Sequence, residues 1–360
     1  MKPTSLPSFI EYARRKMSAQ PEIRHQRGLS LIELMIAITL GLLLVAGITI
    51  LISRQSSTRA EFEKASRNIE NGRYAIQVLK DDIEHAGFYD QLTDTGAIPA
   101  TLPDPCETVV TNLSAALPLA VQGYDSPASI TSLMSCLADG NHVPGTDILV
   151  LRRADSTALI PVASAVAGQP YIQTGQAGSG VAVTSVIGTG SDTSVFTLQN
   201  KDGSIASLRK YLVHIYFVSP CSTVAGTVCT ASDDNGSPIP TMKRLELGVS
   251  GASGTGFSIV PLAEGIENIQ FDYGLDSAAV PDGAPHTFTT APASAADWNN
   301  VMGIRVNVLA RNNEITQGFI DTKIYNLGLA GNVGQFKDGY KRHVFTSLVR
   351  ATNPSGRREQ

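Results

Sequence analysis

The sequence predicts an α+β protein: one long N-terminal α-helix, transmembrane first and amphipathic after, packed on a large antiparallel β-rich head. Three observations carry this. An apolar run of 24 residues lies near the N-terminus, an amphipathic stripe continues it to residue 86, and beyond Gly87 the hydrophobic period changes to two. Charged residues make up 17% of the 360, with 32 Gly and 19 Pro, below the roughly 25% charge usual for soluble domains. This composition excludes a coiled-coil protein, a polytopic membrane protein and a charge-rich disordered chain. It suits an extracytoplasmic β-rich protein.

The apolar run, residues 29–52, reads LSLIELMIAITLGLLLVAGITILI and holds one charge, Glu33. As a helix it is about 36 Å long at ~1.5 Å per residue, enough to cross a bilayer. The 28 residues before it carry six Lys/Arg against Glu11 and Glu22, so the positive-inside rule places them in the cytoplasm and everything after Ile52 outside it. That local +4 leaves −8 for the rest of a chain whose total is −4, a poor surface for gripping a polyphosphate backbone. No small-residue cleavage box follows Ile52, so a simple signal anchor is one reading. Glu33 asks for more, because a carboxylate about one turn into an apolar span is expensive and needs a partner. A cut between Gly28 and Leu29 would supply one. Leu29 would then carry a free α-amino group four residues from Glu33, on the same helix face.

Arg27-Gly28-Leu29-Ser30-Leu31-Ile32-Glu33, with the apolar run behind it, resembles the class III signal of type IV pilins and type II secretion pseudopilins. The resemblance implies that a prepilin peptidase cuts after Gly28, that Leu29 becomes the N-methylated first residue, and that Glu33 serves assembly. Leu29 stands where Phe is commonest, and the 28-residue leader is long; Met1 and Met17 are both candidate starts.

Further on, Phe62, Ala65, Ile69, Gly72, Ile76, Leu79, Ile83 and Ala86 alternate at spacings of three and four, an amphipathic stripe. Gly87 follows as a natural C-terminal stop. A coiled-coil dimer could use such a stripe, but Ala and Gly make a weak seam, so packing on the protein's own sheet is expected. The stretch NGRYAIQVLKDDIEHAGFYD (71–90) is similar to the ENGR-A---L--D---AG- signature of PilW-type minor pilins, which are in turn similar to J-type minor pseudopilins. PLAEGIENIQFDYGLD (261–276) and YKRHVFTSLVRATN (340–353) also resemble segments of that family. The chain is thus expected to divide into a cleaved leader (1–28), a transmembrane or filament-core helix (29–53), its amphipathic continuation (54–87) and a periplasmic head (88–360).

Within the head, strands are expected at 147–152, 181–187, 194–199, 210–218, 243–247, 266–273 and 303–311. The last is the clearest: Ile304, Val306, Val308 and Ala310 alternate with Arg305, Asn307, Leu309 and Arg311. Gly/Ser/Asp/Pro clusters between them read as turns. Four cysteines in an oxidising compartment suggest disulfides, of which three connectivities exist. Proximity favours Cys106–Cys136 and Cys221–Cys229.

Nothing in the sequence proposes an active site, a cofactor or a metal. The six histidines are scattered, and neither a nucleophile elbow nor a P-loop is present. His214, inside the apolar strand YLVHIYFVS, reads as a satisfied or rim histidine. Asp233-Asp234-Asn235-Gly236 has calcium-loop residue types but neither the alternate spacing nor a closing Glu, and reads as a solvated turn. With 6% aromatic residues and no basic–aromatic stripe, direct nucleic-acid stacking is not expected.

The resemblance implies a non-enzymatic minor pilin that takes part in type IV pilus assembly. A head of that size packs poorly into a filament shaft, which argues for few copies, in a priming or tip complex. Expected partners are other minor pilins, the major pilin, the prepilin peptidase and a PilY-type tip adhesin. The expected location is the inner membrane, single-pass with a periplasmic head, and then the pilus tip. A minor pseudopilin of type II secretion shares the same physics, and a tip adhesin or DNA-uptake subunit is a third reading.

Overall fold

A computed structural model describes Gly28 and residues 30–359. The expected leader apart from Gly28, and Leu29 itself, lie outside the described residues. The chain forms two compact units, residues 1–59 and 60–360.

Helix α1 runs unbroken from Leu31 to His85. In the first unit its apolar side chains are exposed throughout. Among the described residues it is the one helix long and apolar enough to cross a membrane. Thr39 and Thr49 turn their hydroxyls back onto the helix, donating to the Ile36 carbonyl at 2.9 Å and the Val45 carbonyl at 2.8 Å. Both hydroxyls are therefore satisfied without water, as a lipid environment requires.

The second unit is built on antiparallel sheets. Strands β1 (Val121–Tyr124), β2 (Ile148–Ala154), β3 (Pro170–Gln176), β4 (Val183–Thr189), β5 (Leu208–Ser219), β6 (Thr241–Ser250) and β7 (Gly254–Glu264) form the larger one. Its order is β1-β2-β5-β3-β4, with β6 also pairing with β5 and β7 with β6. Strands β8 (Ile266–Leu275), β9 (Thr287–Thr289), β10 (Val301–Arg311), a short hairpin of β11 (Ile324–Asn326) and β12 (Asn332–Gly334), and β13 (Arg342–Arg350) follow. The smaller sheet has the order β13-β10-β8-β9.

Two cores hold these layers together. One face of the larger sheet (Leu149, Leu151, Tyr216, Val218) and one of the smaller (Phe271, Ile304, Val306, Val308) share a core with Ala75, Leu79, Ile83 and Ala86 of α1. The opposite face of the larger sheet (Val150, Val213, Ile215, Phe217, Leu245) is covered by Tyr89, Leu92, Leu113, Leu117, Ile130 and Met134. Burial on both faces explains why β2 opens as an unbroken apolar run rather than an alternation. The sheet packing of α1 answers the choice between a coiled coil and the protein's own head.

Two glycines are fixed by this packing. A Cβ on Gly72 would overlap the Phe345 ring of β13, so a bare helix surface is needed where the sheet comes closest. Gly87 ends the helix at φ +72°, and a Cβ there would lie 2.9 Å from that of Ala120. Only glycine adopts this backbone readily.

The structure departs from expectation in four places. The buried face of α1 follows the expected stripe from Gly72 onward, but earlier Phe62 and Ile69 are exposed and Asn68 is buried instead. There the helix meets polar loops rather than a sheet. Asn68 Nδ2 donates to Asn312 Oδ1 and to the Lys341 carbonyl, both at 3.2 Å. Glu61 accepts from Thr316 Oγ1 at 2.6 Å and Lys341 Nζ at 3.0 Å, and these bonds hold its carboxyl at about 2. Residues 194–199 are not a strand: Ser194 donates its amide and hydroxyl to Asp192 Oδ1 at 3.0 and 2.6 Å, so the backbone turns instead of joining a ladder. Strands β1, β3, β7, β9, β11, β12 and β13 lie outside the expected segments; in β3 and β7, Pro and Gly mask the strand pattern. Pro261 is tolerated because β7 lies at the sheet edge. Finally, 233–236 is a tight turn with Asp234 and Asn235 at φ +50° and +61°, and Asp233 is buried.

Candidate functional site: the assembly helix and its joint to the head

At the start of α1, Gly28 is exposed, with nothing within 4 Å of a Cβ built on it. Glu33 sits in the first turn, and its Oε2 lies 3.4 Å from the Ser30 amide. A carboxylate there also complements the positive end of the helix dipole. Leu29, the expected methylated residue, lies outside the described residues.

Farther along, α1 is joined to the sheets by a buried ionic centre that the sequence did not announce. Asp82 projects between β2 and β5. Its Oδ1 lies 2.6 Å from Arg153 Nε, and its Oδ2 lies 2.7 Å from His214 Nδ1 and 2.8 Å from the Tyr216 hydroxyl, which donates to it. Arg244 Nη1 donates to that same hydroxyl at 3.1 Å. Burial pushes the Asp82 carboxyl up, yet His214 and Arg153 together hold it well below the usual carboxylate range. His214 is thus a satisfied core histidine.

A second ionic centre ties the end of the chain down. The Arg342 side chain, first in β13, is wholly buried. It faces Glu267 of β8 together with Asp321 and Asp338 from the loops flanking the β11–β12 hairpin. Its guanidinium also stacks 3.8 Å from the Phe336 ring centroid.

Disulfides fasten two coverings of the larger sheet. Cys106 and Cys136 are bridged with Cα atoms 5.4 Å apart, and Cys221 and Cys229 with Cα atoms 5.9 Å apart. In the second loop Asp234 accepts the amides of Ser222, Thr223 and Ile239 at 2.8–2.9 Å. Asp233 accepts those of Ala225 and Thr230 at 3.0 and 2.6 Å. The two carboxylates organise the loop by holding its backbone N–H groups.

Asp147, at the mouth of β2, couples the two sheets. Its amide donates to the Ile269 carbonyl at 3.0 Å, and its carboxylate accepts the amides of Phe271 at 2.7 Å and Ser126 at 2.8 Å. Burial dominates and pushes its carboxyl up from 3.8 to about 7. A raised pKa means that the folded state holds the proton more tightly than the unfolded chain. Asp147 therefore contributes most below pH 4, and that contribution declines through the pH 4–7 window, by at most about 1.4 kcal/mol per unit. Urea unfolding of wild type and Asp147→Asn across pH 4–8 should show this slope in wild type and its absence in the variant; parallel curves would refute it.

A prepilin-like N-terminus on a continuous helix that enters an antiparallel β-rich head defines a pilin-type protein. A family model described as type IV pilus-assembly protein W matches residues 216–353, and one described as prokaryotic N-terminal methylation motif matches residues 23–49. No curated protein and no solved structure matches the chain. The two family matches support a type IV pilus minor pilin of the PilW family and involvement in type IV pilus assembly. The methylation motif and the apolar helix support membrane anchoring with pilus association, and imply contact with the prepilin peptidase and with other pilins.

Proposed function

We propose that this protein is a non-enzymatic subunit of the minor-pilin complex that primes pilus assembly and remains at the tip, where it helps present a PilY-type adhesin. The observation that carries this reading is one unbroken helix, with a prepilin signal at its start and a PilW-type head of some 270 residues (88–360) on its second half. Maturation is a cut between Gly28 and Leu29, N-methylation of Leu29, and retention of the helix. Residues 29–53 then lie in the membrane or filament core, 54–87 continue the helix, and 88–360 form the periplasmic head. Glu33 pairs with a Leu29 amine, its own or that of a neighbouring subunit, and sets register along otherwise featureless apolar helices.

Complementation of a deletion strain with Glu33→Ala tests this. Removing the charge makes insertion easier, by less than the roughly 2.5–3.5 kcal/mol that a charge costs at the centre of a spanning helix, so membrane level and cleavage at Leu29 should be unchanged. Surface pili and co-purified minor pilins should fall. Wild-type piliation and partner recovery at equal protein level would refute the role. A loss of protein secretion with pili intact would instead indicate a type II secretion pseudopilin.

A further inference from the structure

Lys243 of β6 is only 3% exposed. It pairs in register with Phe217 of β5 and Pro261 of β7, and lines a cavity of about 250 Å³ that the Cys221–Cys229 loop partly walls. Phe217, Ile259, Pro261 and Val224 give the cavity an apolar side; Asn141, Ser219 and Thr227 are among its polar residues, and no carboxylate lines it. The Lys243 ammonium makes no hydrogen bond or close ion pair among the described residues; its electrostatic neighbours are Asp234 and Asp233. Those two carboxylates are already engaged by loop amides. Accordingly burial lowers the Lys243 pKa despite them. The side chain is buried, but its ammonium reaches solvent through this cavity and not a protein partner, so an anion entering the cavity can meet it directly.

The wall is held in place independently of any occupant. The disulfide closes the loop, Asn141 Nδ2 donates to the Thr227 carbonyl at 2.9 Å, and Asn141 Oδ1 accepts the Cys229 amide at 2.9 Å. The volume lies just below the roughly 300–1,000 Å³ of sites that bury a drug-sized ligand, so the occupant is small. One ammonium, with no arginine in the lining, matches a monoanion better than a phosphate.

We propose that this cavity binds a carboxylate carried on a short apolar stem, with Lys243 Nζ receiving the charge and Phe217, Ile259 and Pro261 the stem. A free short-chain carboxylic acid and the C-terminal carboxylate of a polypeptide share this chemistry. The test uses the full processed chain in detergent. Butanoate should protect Lys243 from reductive methylation, slowing the labelling about 100-fold at a concentration 100 times Kd, while the neutral isostere butanamide should not. Calorimetry with Lys243→Met should show butanoate binding weakened roughly 10- to 100-fold, as expected for loss of a charged hydrogen-bond partner. N-acetylated tetra-alanine with a free or an amidated terminus separates the sources. Tighter binding of the free-terminus peptide than of butanoate assigns the site to a polypeptide end, and its exclusion assigns it to a small acid. Equal effects of butanoate and butanamide, or labelling unchanged by butanoate, would overturn the proposal. The protection experiment is done on wild type and stands even where the variant fails to fold.

Discussion

Asp82→Ala should destabilise the head by about 3–5 kcal/mol, the range for removing one partner from a buried ion pair. The substitution leaves the buried Tyr216 hydroxyl and the largely buried His214 and Arg153 without the carboxylate they share. Asp82→Asn should fall between, since its one amide oxygen can serve Arg153 or Tyr216 but not the positive charge. Replacing Asp82 and Arg153 together by Leu and Met should recover part of the loss, because an apolar pair of similar volume removes the unpaired charge instead of creating one. The pH dependence distinguishes charge from shape. A carboxyl held below its ordinary range stabilises the fold above that range and ceases to do so as pH falls through it. Wild type should therefore lose more stability than Asp82→Asn on acidification below about pH 4, while near neutral pH the gap between them stays constant. Urea titrations at several pH values measure both effects. A loss near 1 kcal/mol with no pH dependence would mean that Asp82 is an ordinary surface-type contact.

The helix–head joint shows how far the sequence could be read and where reading stopped. The positions spelled out in the PilW-type signature are, in this chain, Gly72, Ala75, Leu79, Asp82, Ala86 and Gly87, beside Glu70, Asn71 and Arg73. In the structure the first six are the residues that seat the helix. Gly72 clears Phe345, Ala75, Leu79 and Ala86 enter the shared core, Asp82 makes the ionic centre, and Gly87 turns the chain. Periodicity finds the apolar members because helix geometry repeats locally. It cannot find Asp82, which reads as one charge among many, because its partners lie 71 and 132 residues farther along the chain. The same limit explains Phe62 and Ile69. Hydrophobic spacing predicts an apolar face, but whether a sheet or a polar loop meets it is decided by segments near residue 315 and residue 341. Strand order is equally nonlocal: β5 pairs with β2, β3 and β6, and no local pattern encodes that choice. At the N-terminus the situation reverses. Gly28 and Glu33 stand out in the sequence through local spacing, whereas their surroundings in the described structure add little, since both are exposed.

Arg342→Met should cost a further large share of stability, again about 3–5 kcal/mol, and should act on a defined part of the molecule. Arg342 donates to Asp338 through Nη1 and Nη2, both at 2.7 Å, to Asp321 at 3.0 Å, and to Glu267 through Nε and Nη2. The paired donation to Glu267 and to Asp338 uses the planar fork of guanidinium, which lysine lacks. Arg342→Lys should therefore recover only part of the loss, although it restores the charge. Asp321 suffers most in the variant, being wholly buried, with the Tyr325 hydroxyl and the Lys323 amide as its remaining donors. Around it the backbone is sparsely secured: Lys337 donates to the Asp321 carbonyl and Asp321 to that of Asp338, each at 2.8 Å. Loss of the arginine should release these bonds before the sheets give way. Hydrogen exchange should accelerate across residues 321–338 while β8 and β10 stay protected, and global melting should fall by roughly 5–8 °C for a unit of about 300 residues. High salt should change the wild-type value little, because screening reaches buried pairs weakly. Faster exchange spread evenly over β8, β10 and β13 would show that Arg342 supports the whole sheet rather than latching the β11–β12 segment onto it. Unchanged melting would show that the three carboxylates are stabilised from elsewhere.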